Sequence, residues 1–347
     1  MVGDDRLEGL QVARALAALA VAYYHSFGIF SGWPQAAVFP IPGLREHGYL
    51  GVNFFFAISG YVISVVCDKP SFTVRRFVIK RFFRLYPVYW AVLLAMILLK
   101  VCGVSLLTDY RLLNILYSMT LLPHAEDVQP FLNVTWSLEF EIMFYLLAVL
   151  AVPLFGVWGL AAVLFGLVYW AFHFYQPAFS FHLLRTLNSD FLAGVLAYLL
   201  RKPLSYLPAW LLIPAGLFGY YNAVSGWLIP FSGSCGGFLL VSALANARWS
   251  WQARPLRWFV TIGDASYSLY LIHFVVIAVF VKLLQQLGTL PAWTAEPTRL
   301  VFLGVCIWLS MKAYQLIERP MIRMGNRVAD QKWGTQTREA AVSQPVP

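Results

Sequence analysis

Two arginines, a histidine and a glutamate carry the chemistry this sequence has to offer. Arg81 and Arg84 close a basic run, VRRFVIKRFFRLYPVYW at 74–90, that also holds Arg75, Arg76 and Lys80. At helical spacing Phe77, Arg81 and Arg84 fall near one face, so charge and apolar surface are mixed. A guanidinium fork makes paired, charge-assisted hydrogen bonds to phosphate, so one reading is an anion site at the cytoplasmic mouth of a membrane protein. The plainer reading is a positive-inside topogenic signal. His25 sits near the outer end of the first apolar run, and Glu139 and Glu141 lie in TWSLEFEIMFYLL at 135–147. Ionisable groups inside apolar runs are costly and are functional candidates by default. Their plainer readings are a structural hydrogen-bonding histidine and two interfacial carboxylates. The interfacial reading suits Glu139 better than the deeper Glu141.

The elements that position these residues follow from composition. Of 347 residues, 60% are hydrophobic and only 12% charged, with a mean hydropathy of +0.68. A soluble domain carries about 25% charged residues. The fold class is therefore an all-α polytopic membrane protein, and the 17% of aromatics suits membrane–water interfaces. The net charge of +9 then describes cytoplasmic loops and is no argument for nucleic acid. Cys67, Cys102, Cys235 and Cys306 lie in apolar runs without metal-like spacing and are expected to be inert packing residues, with no metal site. The start, MVGDDRLEG, is acidic and no small-residue cleavage site follows, so no removable signal peptide is expected.

Spans of roughly 20 apolar residues are expected at 10–30, 49–67, 86–102, 137–155, 157–175, 184–200, 209–224, 227–246, 266–287 and 300–318. The apolar stretch 112–122 is too short to span and reads as interfacial or re-entrant. With the N-terminus inside, the cytoplasmic side collects Arg6, Arg14, the cluster from Lys69 to Arg84, Arg201, Lys202, Arg248, Arg254, Arg257 and the arginines from Arg319 on. That asymmetry favours about ten spans with both termini cytoplasmic. Residues 1–327 form the transmembrane domain, and the polar tail 328–347 is expected to be a disordered cytoplasmic segment.

The polar span residues sort into two layers. Arg14, Arg81 and Arg84 lie at the inner surface. His25, Asn53 and Glu141 are expected at a common depth in the outer third. Ser59, with Tyr270 and His273 of GDASYSLYLIHF, bridges the gap. Glu318 ends the last span, where a local ion pair with Arg319 or Arg323 is the plain expectation. A cationic site and a His–carboxylate site about 20 Å apart suit one ligand that reaches through. Acyl-CoA has that form, with anionic phosphates, a long pantetheine arm and a thioester at its tip.

Six stretches then carry a resemblance: RLEGLQVARALAALAVAYYHSF (6–27), GVNFFFAISGYVIS (51–64), KRFFRLYPVYW (80–90), TWSLEFEIMFYLL (135–147), GDASYSLYLIHF (263–274) and IERP (317–320). In this order they resemble the membrane-bound acyltransferase-3 family, which includes O-antigen and exopolysaccharide O-acetyltransferases. The likeness is to members without an extracytoplasmic hydrolase-like domain. It implies about ten helices, an acyl-CoA donor, a catalytic His25 and an Arg81/Arg84 pair that engages the donor. The family often has an acidic residue where this chain has Asn53, and Glu141 becomes the favoured carboxylate partner of His25.

A sugar hydroxyl attacks only as its proton is removed, and histidine, with a reference pKa near 6.5, suits that task. A carboxylate on the other ring nitrogen would fix the tautomer, as in a triad. The expected protein is an acyl-CoA-dependent O-acyltransferase of the bacterial inner (cytoplasmic) membrane. It would bind acyl-CoA, acetyl-CoA first, through Arg14, Arg81, Arg84, Ser59, Tyr270 and His273. His25 and Glu141 would be catalytic, and Asn53 and Glu318 would shape the site. The acceptor is a polysaccharide or lipid-linked oligosaccharide. No permanent cofactor is expected, and homo-oligomerisation is left open. A proton-coupled transporter using His25 and Glu141 as a relay, and an acyltransferase acting on a small secondary metabolite, are the alternatives. Direct transfer and an acyl-histidine relay both fit.

Overall fold

The structure, a computed structural model, describes residues 5–30, 41, 43–104, 112–122, 131–132, 134–174, 182–225, 231–247, 254–288 and 291–331. Twelve helices of nine residues or more organise it. They are α1 (Asp5–Ser26), α2 (Leu50–Cys67), α3 (Val74–Val101), α4 (Leu112–Thr120), α5 (Thr135–Phe174) and α6 (Asn188–Leu199), followed by α7 (Ala209–Ser225), α8 (Ser232–Asn246), α9 (Arg254–Asp264), α10 (Ser266–Leu287), α11 (Ala295–Ala313) and α12 (Arg319–Asp330). No strand occurs among the described residues.

Six helical stretches are long and apolar enough to cross a membrane: Glu8–Ile29, Leu50–Cys67, Val74–Val101, Thr135–Phe174, Ser266–Leu287 and Ala292–Asp330. The expected spans near 184–200, 209–224 and 227–246 are helical, but α6, α7 and α8 have 12, 17 and 15 residues. Residues 227–230 of the last lie outside the described residues. The expected spans 137–155 and 157–175 form one 40-residue helix, broken at Gly156, whose φ is 67°. Only glycine takes that backbone conformation without a steric penalty. Large apolar side chains on α5 face outward, Leu154 with 73% of its surface exposed, as a lipid-facing surface requires. The stretch 112–122 holds only the nine-residue α4, too short to span. At the C-terminus α12 continues to Asp330, past the expected start of a disordered tail at 328, and 332–347 lie outside the described residues. Cys67 and Cys306 are buried, whereas Cys102 and Cys235 are exposed, so the packing role expected for all four holds for two.

Two packing features set the site. At the α2–α6 crossing, a Cβ on Gly60 would lie 2.2 Å from the Phe191 carbonyl and one on Gly194 would lie 1.9 Å from that of Ala57. The two helices touch backbone to backbone there, which small residues allow in membrane proteins. Around that crossing Phe191 stacks on Phe56 and Phe144 at ring distances of 4.5 and 4.4 Å. Helix α3 begins at Thr73, whose extended backbone and side-chain hydroxyl cap the Arg76 amide at 3.3 Å. From that start the basic residues divide. Arg76 and Lys80 reach Asp330 at the end of α12, at 3.4 and 3.9 Å. Phe77 is buried and Arg81 lies over its ring at 5.4 Å, on the face that carries Arg84 inward.

Candidate functional site

A hollow lies between α1, α2, α3, α5 and α10, and Arg14, Arg81, Arg84, Ser59, Glu141 and Tyr270 all line it. Arg14 donates from Nε to Ser266 Oγ at 3.1 Å. Arg81 also lies over the Tyr145 ring at 5.4 Å. Three arginines from two helices thus share one hollow, and no ion pair within 4.0 Å is recorded for them among the described residues. The three arginines expected to bind the donor are brought together in this hollow.

Glu141 lies in the same hollow. Its Oε1 accepts from Ser59 Oγ at 3.2 Å and from Tyr145 OH. The expected pairing of His25 with Glu141 is not formed, and Glu141 faces the arginines instead of sharing the depth of His25. The reason is helical phase. Glu141 lies four residues before Tyr145, on the stripe of α5 that meets the cationic face of α3. Replacing Glu141 with glutamine is expected to leave the pH dependence of turnover unchanged, measured as kcat against pH beside the parent. A shifted profile would restore Glu141 as the partner of His25.

His25 pairs with another histidine. Its Nδ1 lies 3.2 Å from His273 Nε2, and His273 Nδ1 lies 3.2 Å from the Leu269 carbonyl oxygen. These contacts fix both tautomers. A carbonyl only accepts, so His273 Nδ1 carries a proton. Neutral His273 then accepts at Nε2, and His25 Nδ1 must donate to it. His25 Nε2 is left with its lone pair, the form a general base needs. His273 Nε2 takes the orienting place on His25 that a carboxylate holds in a triad, and the Leu269 carbonyl in turn orients His273. His273 was expected to bind donor; it is fully buried, and its ring nitrogens go to His25 and Leu269.

Tyr270 joins the two ends. It lines the cavity, its ring lies 5.8 Å from that of His273, and its hydroxyl is 2.6 Å from Ser137 Oγ and 3.2 Å from the Val134 carbonyl. Along α1 the eleven residues from Arg14 to His25 rise about 16 Å. The histidine pair is not part of the hollow's lining, and Tyr270 is the lining residue whose ring stands next to it.

The other expected residues have different partners. Asn53 Nδ2 donates to Asp190 Oδ2 at 2.7 Å. Glu318 is buried and accepts from Ser268 Oγ at 2.6 Å, so the expected local ion pair with Arg319 or Arg323 gives way to a contact across helices. Glu318 ends a π-helical turn, Tyr314–Glu318, which turns it inward toward α10. Glu139, expected at the interface, is 2% exposed and lies 3.0 Å from His182 Nε2. Sequence reasoning missed Ser137, Tyr145, Ser266, Tyr267 and Asp190. Ser137 and Tyr145 lie in TWSLEFEIMFYLL, and Ser266 and Tyr267 lie in GDASYSLYLIHF beside Tyr270. Asp190 is the one acidic residue in the expected span 184–200, and that was its signal.

Residues 7–311 match the acyltransferase domain family, acyltransferase-3. The chain belongs to this family. With its membrane-length helices it is a membrane protein with an acyltransferase domain. Among relatives of the family, Exopolysaccharide production protein ExoZ of Rhizobium meliloti (strain 1021) is 28% identical over 298 residues, covering 80% of this chain and 90% of ExoZ. Acyltransferase MdmB of Streptomyces mycarofaciens is 26% identical over 362 residues, covering 93% of each chain. A Staphylococcus aureus (strain COL) protein with the provisional name O-acetyltransferase SACOL0978 is 26% identical over 372 residues, covering 92% of this chain and 58% of that one. No solved structure matches the chain.

Proposed function

We propose that this family member is an integral membrane O-acyltransferase. It moves an acetyl or other short acyl group from cytoplasmic acyl-CoA to a hydroxyl of a surface polysaccharide or its lipid-linked precursor. The observation that carries this is the hollow that gathers Arg14, Arg81 and Arg84, with Tyr270 on its wall standing beside the His25–His273 pair. The name of ExoZ, exopolysaccharide production protein, supports the acceptor class. In this reading the chain spans the bacterial inner membrane about ten times, with both termini cytoplasmic.

The arginines hold the donor phosphates, and the pantetheine arm follows the path past Tyr270. The acceptor hydroxyl attacks the thioester carbonyl while its proton passes to His25 Nε2. His273 accepts the Nδ1–H of His25 throughout and so steadies the imidazolium. As the C–S bond breaks, the imidazolium returns the proton to the leaving sulfur, giving free CoA and the O-acyl ester. Positioned acid–base help of this kind contributes roughly 10²–10⁴-fold.

The test is acyl-CoA consumption by purified protein, with oligosaccharides from the host's exopolysaccharide as acceptor and mass spectrometry of the product. Equimolar CoA and O-acyl saccharide are expected. A protein that consumes no acyl-CoA, while moving protons or solute in vesicles, would be a transporter instead.

A further inference from the structure

A second cavity of about 370 Å³ opens beside α2, lined by Asn53, Ser189, Asp190, Tyr220, Phe231 and Ser234 among others. That volume lies within the roughly 300–1,000 Å³ of small-molecule sites. Its floor is a buried carboxylate whose partners are all neutral. Asp190 Oδ2 takes Asn53 Nδ2 at 2.7 Å, and Oδ1 takes Ser234 Oγ at 2.7 Å. Ser189 Oγ lies 2.6 Å from Ser234 Oγ. Ser234 has one hydroxyl proton and gives it to Asp190, so Ser189 must donate to Ser234. Ser189 therefore presents lone pairs, polarised through two hydroxyls by the carboxylate. Asn53 keeps a second N–H and its carbonyl beyond the Asp190 bond. The Tyr220 phenol oxygen is buried and has no hydrogen-bond partner among the described residues.

Aromatic faces stand beside these groups. Phe172 and Phe231 meet at a ring distance of 5.4 Å. Phe231 holds a left-handed backbone, φ 63°, which costs a residue with a side chain energy. Strained backbone of this kind clusters at ligand sites. Hydroxyl acceptors, amide donors and flat apolar faces together match a ring with polar edges and C–H faces.

We infer that this cavity binds a sugar ring of the acyl acceptor, with Asp190, through Ser189 and Asn53, reading its hydroxyls. The identity of the ligand as acceptor rests on the acyl-transfer reading above. Placement agrees with it. Asn53 lies in the first turn of α2, which packs at Gly51 against Ala17 and Val21 in the half of α1 that runs on to His25. His25 contacts Tyr24 and Tyr24 contacts Tyr49, the residue before Leu50 on the cavity wall. The donor hollow lies on other faces of α2, through Phe55 and Ser59.

The probe is a set of oligosaccharides released from the host's exopolysaccharide, with binding measured by calorimetry on the full chain in detergent. Asp190→Asn, Ser189→Ala and Tyr220→Phe are compared with the parent, with CoA affinity measured beside them. At least tenfold weaker saccharide binding in Ser189→Ala or Asp190→Asn, with CoA affinity within twofold of the parent, is expected. If Asp190→Asn fails to fold, the two milder variants decide. Equal saccharide binding in folded variants, or none in the parent, overturns the site. A parent that binds saccharide yet consumes no acyl-CoA leaves the site standing and removes the acyl-transfer reading. A parent that transfers acyl groups while variants bind saccharide normally does the reverse.

Discussion

Replacing His25 with alanine is expected to lower acyl transfer by about a thousandfold at saturating substrates, within the range for a positioned general base. CoA affinity should stay within twofold of the parent, because Arg14 lies about 16 Å away along α1 and shares its hollow with Arg81 and Arg84, whereas His25 is not part of that lining. The split separates chemistry from binding: kcat falls while donor affinity holds. A companion pair tests how His25 is set. His273 is a positioning residue that accepts the Nδ1–H of His25 at 3.2 Å. His273→Gln can offer an amide oxygen near the position of Nε2, whereas His273→Leu offers none. Glutamine is expected to retain at least tenfold more kcat than leucine, with equal CoA affinity in both. Full transfer by His25→Ala would remove the mechanism. Equal kcat in the two His273 variants would reduce His273 to packing.

Long periodic apolar runs made the helices legible, and depth along each span separated Arg14 from His25 but misplaced Glu141, which lines the hollow with the arginines. Depth along a helix is set by counting residues, so Arg14 and His25 fell at opposite ends as expected. Which side chain meets which across helices depends on rotation and crossing angle, and no residue count supplies those. That is why Glu141 was assigned to His25, although its helical phase directs it to Ser59 and Tyr145. The His25–His273 contact was hidden for the same reason, its partners standing 248 residues apart. Asn53 was noticed as a departure from an acidic pattern. Its meaning needed the α2–α6 crossing at Gly60 and Gly194, which brings Asp190 alongside. Two carboxylates would face each other there if residue 53 were acidic.

Changing Arg81 and Arg84 together to lysine is expected to weaken CoA binding by on the order of a hundredfold. Each lysine keeps the charge but loses one arm of the guanidinium fork, and each 1.4 kcal/mol lost is tenfold in affinity. The alternative for this stretch is a topogenic signal, and the two readings make opposite demands. A positive-inside signal counts charge and treats lysine as arginine. The structure divides the stretch accordingly. Arg76 and Lys80 are engaged with Asp330 outside the hollow, at 3.4 and 3.9 Å, while Arg81 and Arg84 line it with Arg14. Arg76→Lys is therefore the internal control, expected to insert and bind CoA like the parent. Calorimetry on the detergent-solubilised double variant gives the affinity, and cysteine labelling of the loop before α3 reports its orientation. At several millimolar donor part of the activity should return, since His25 and His273 are untouched. An inserted double variant with parental CoA affinity would leave these arginines as topology signals and remove the donor site from the hollow.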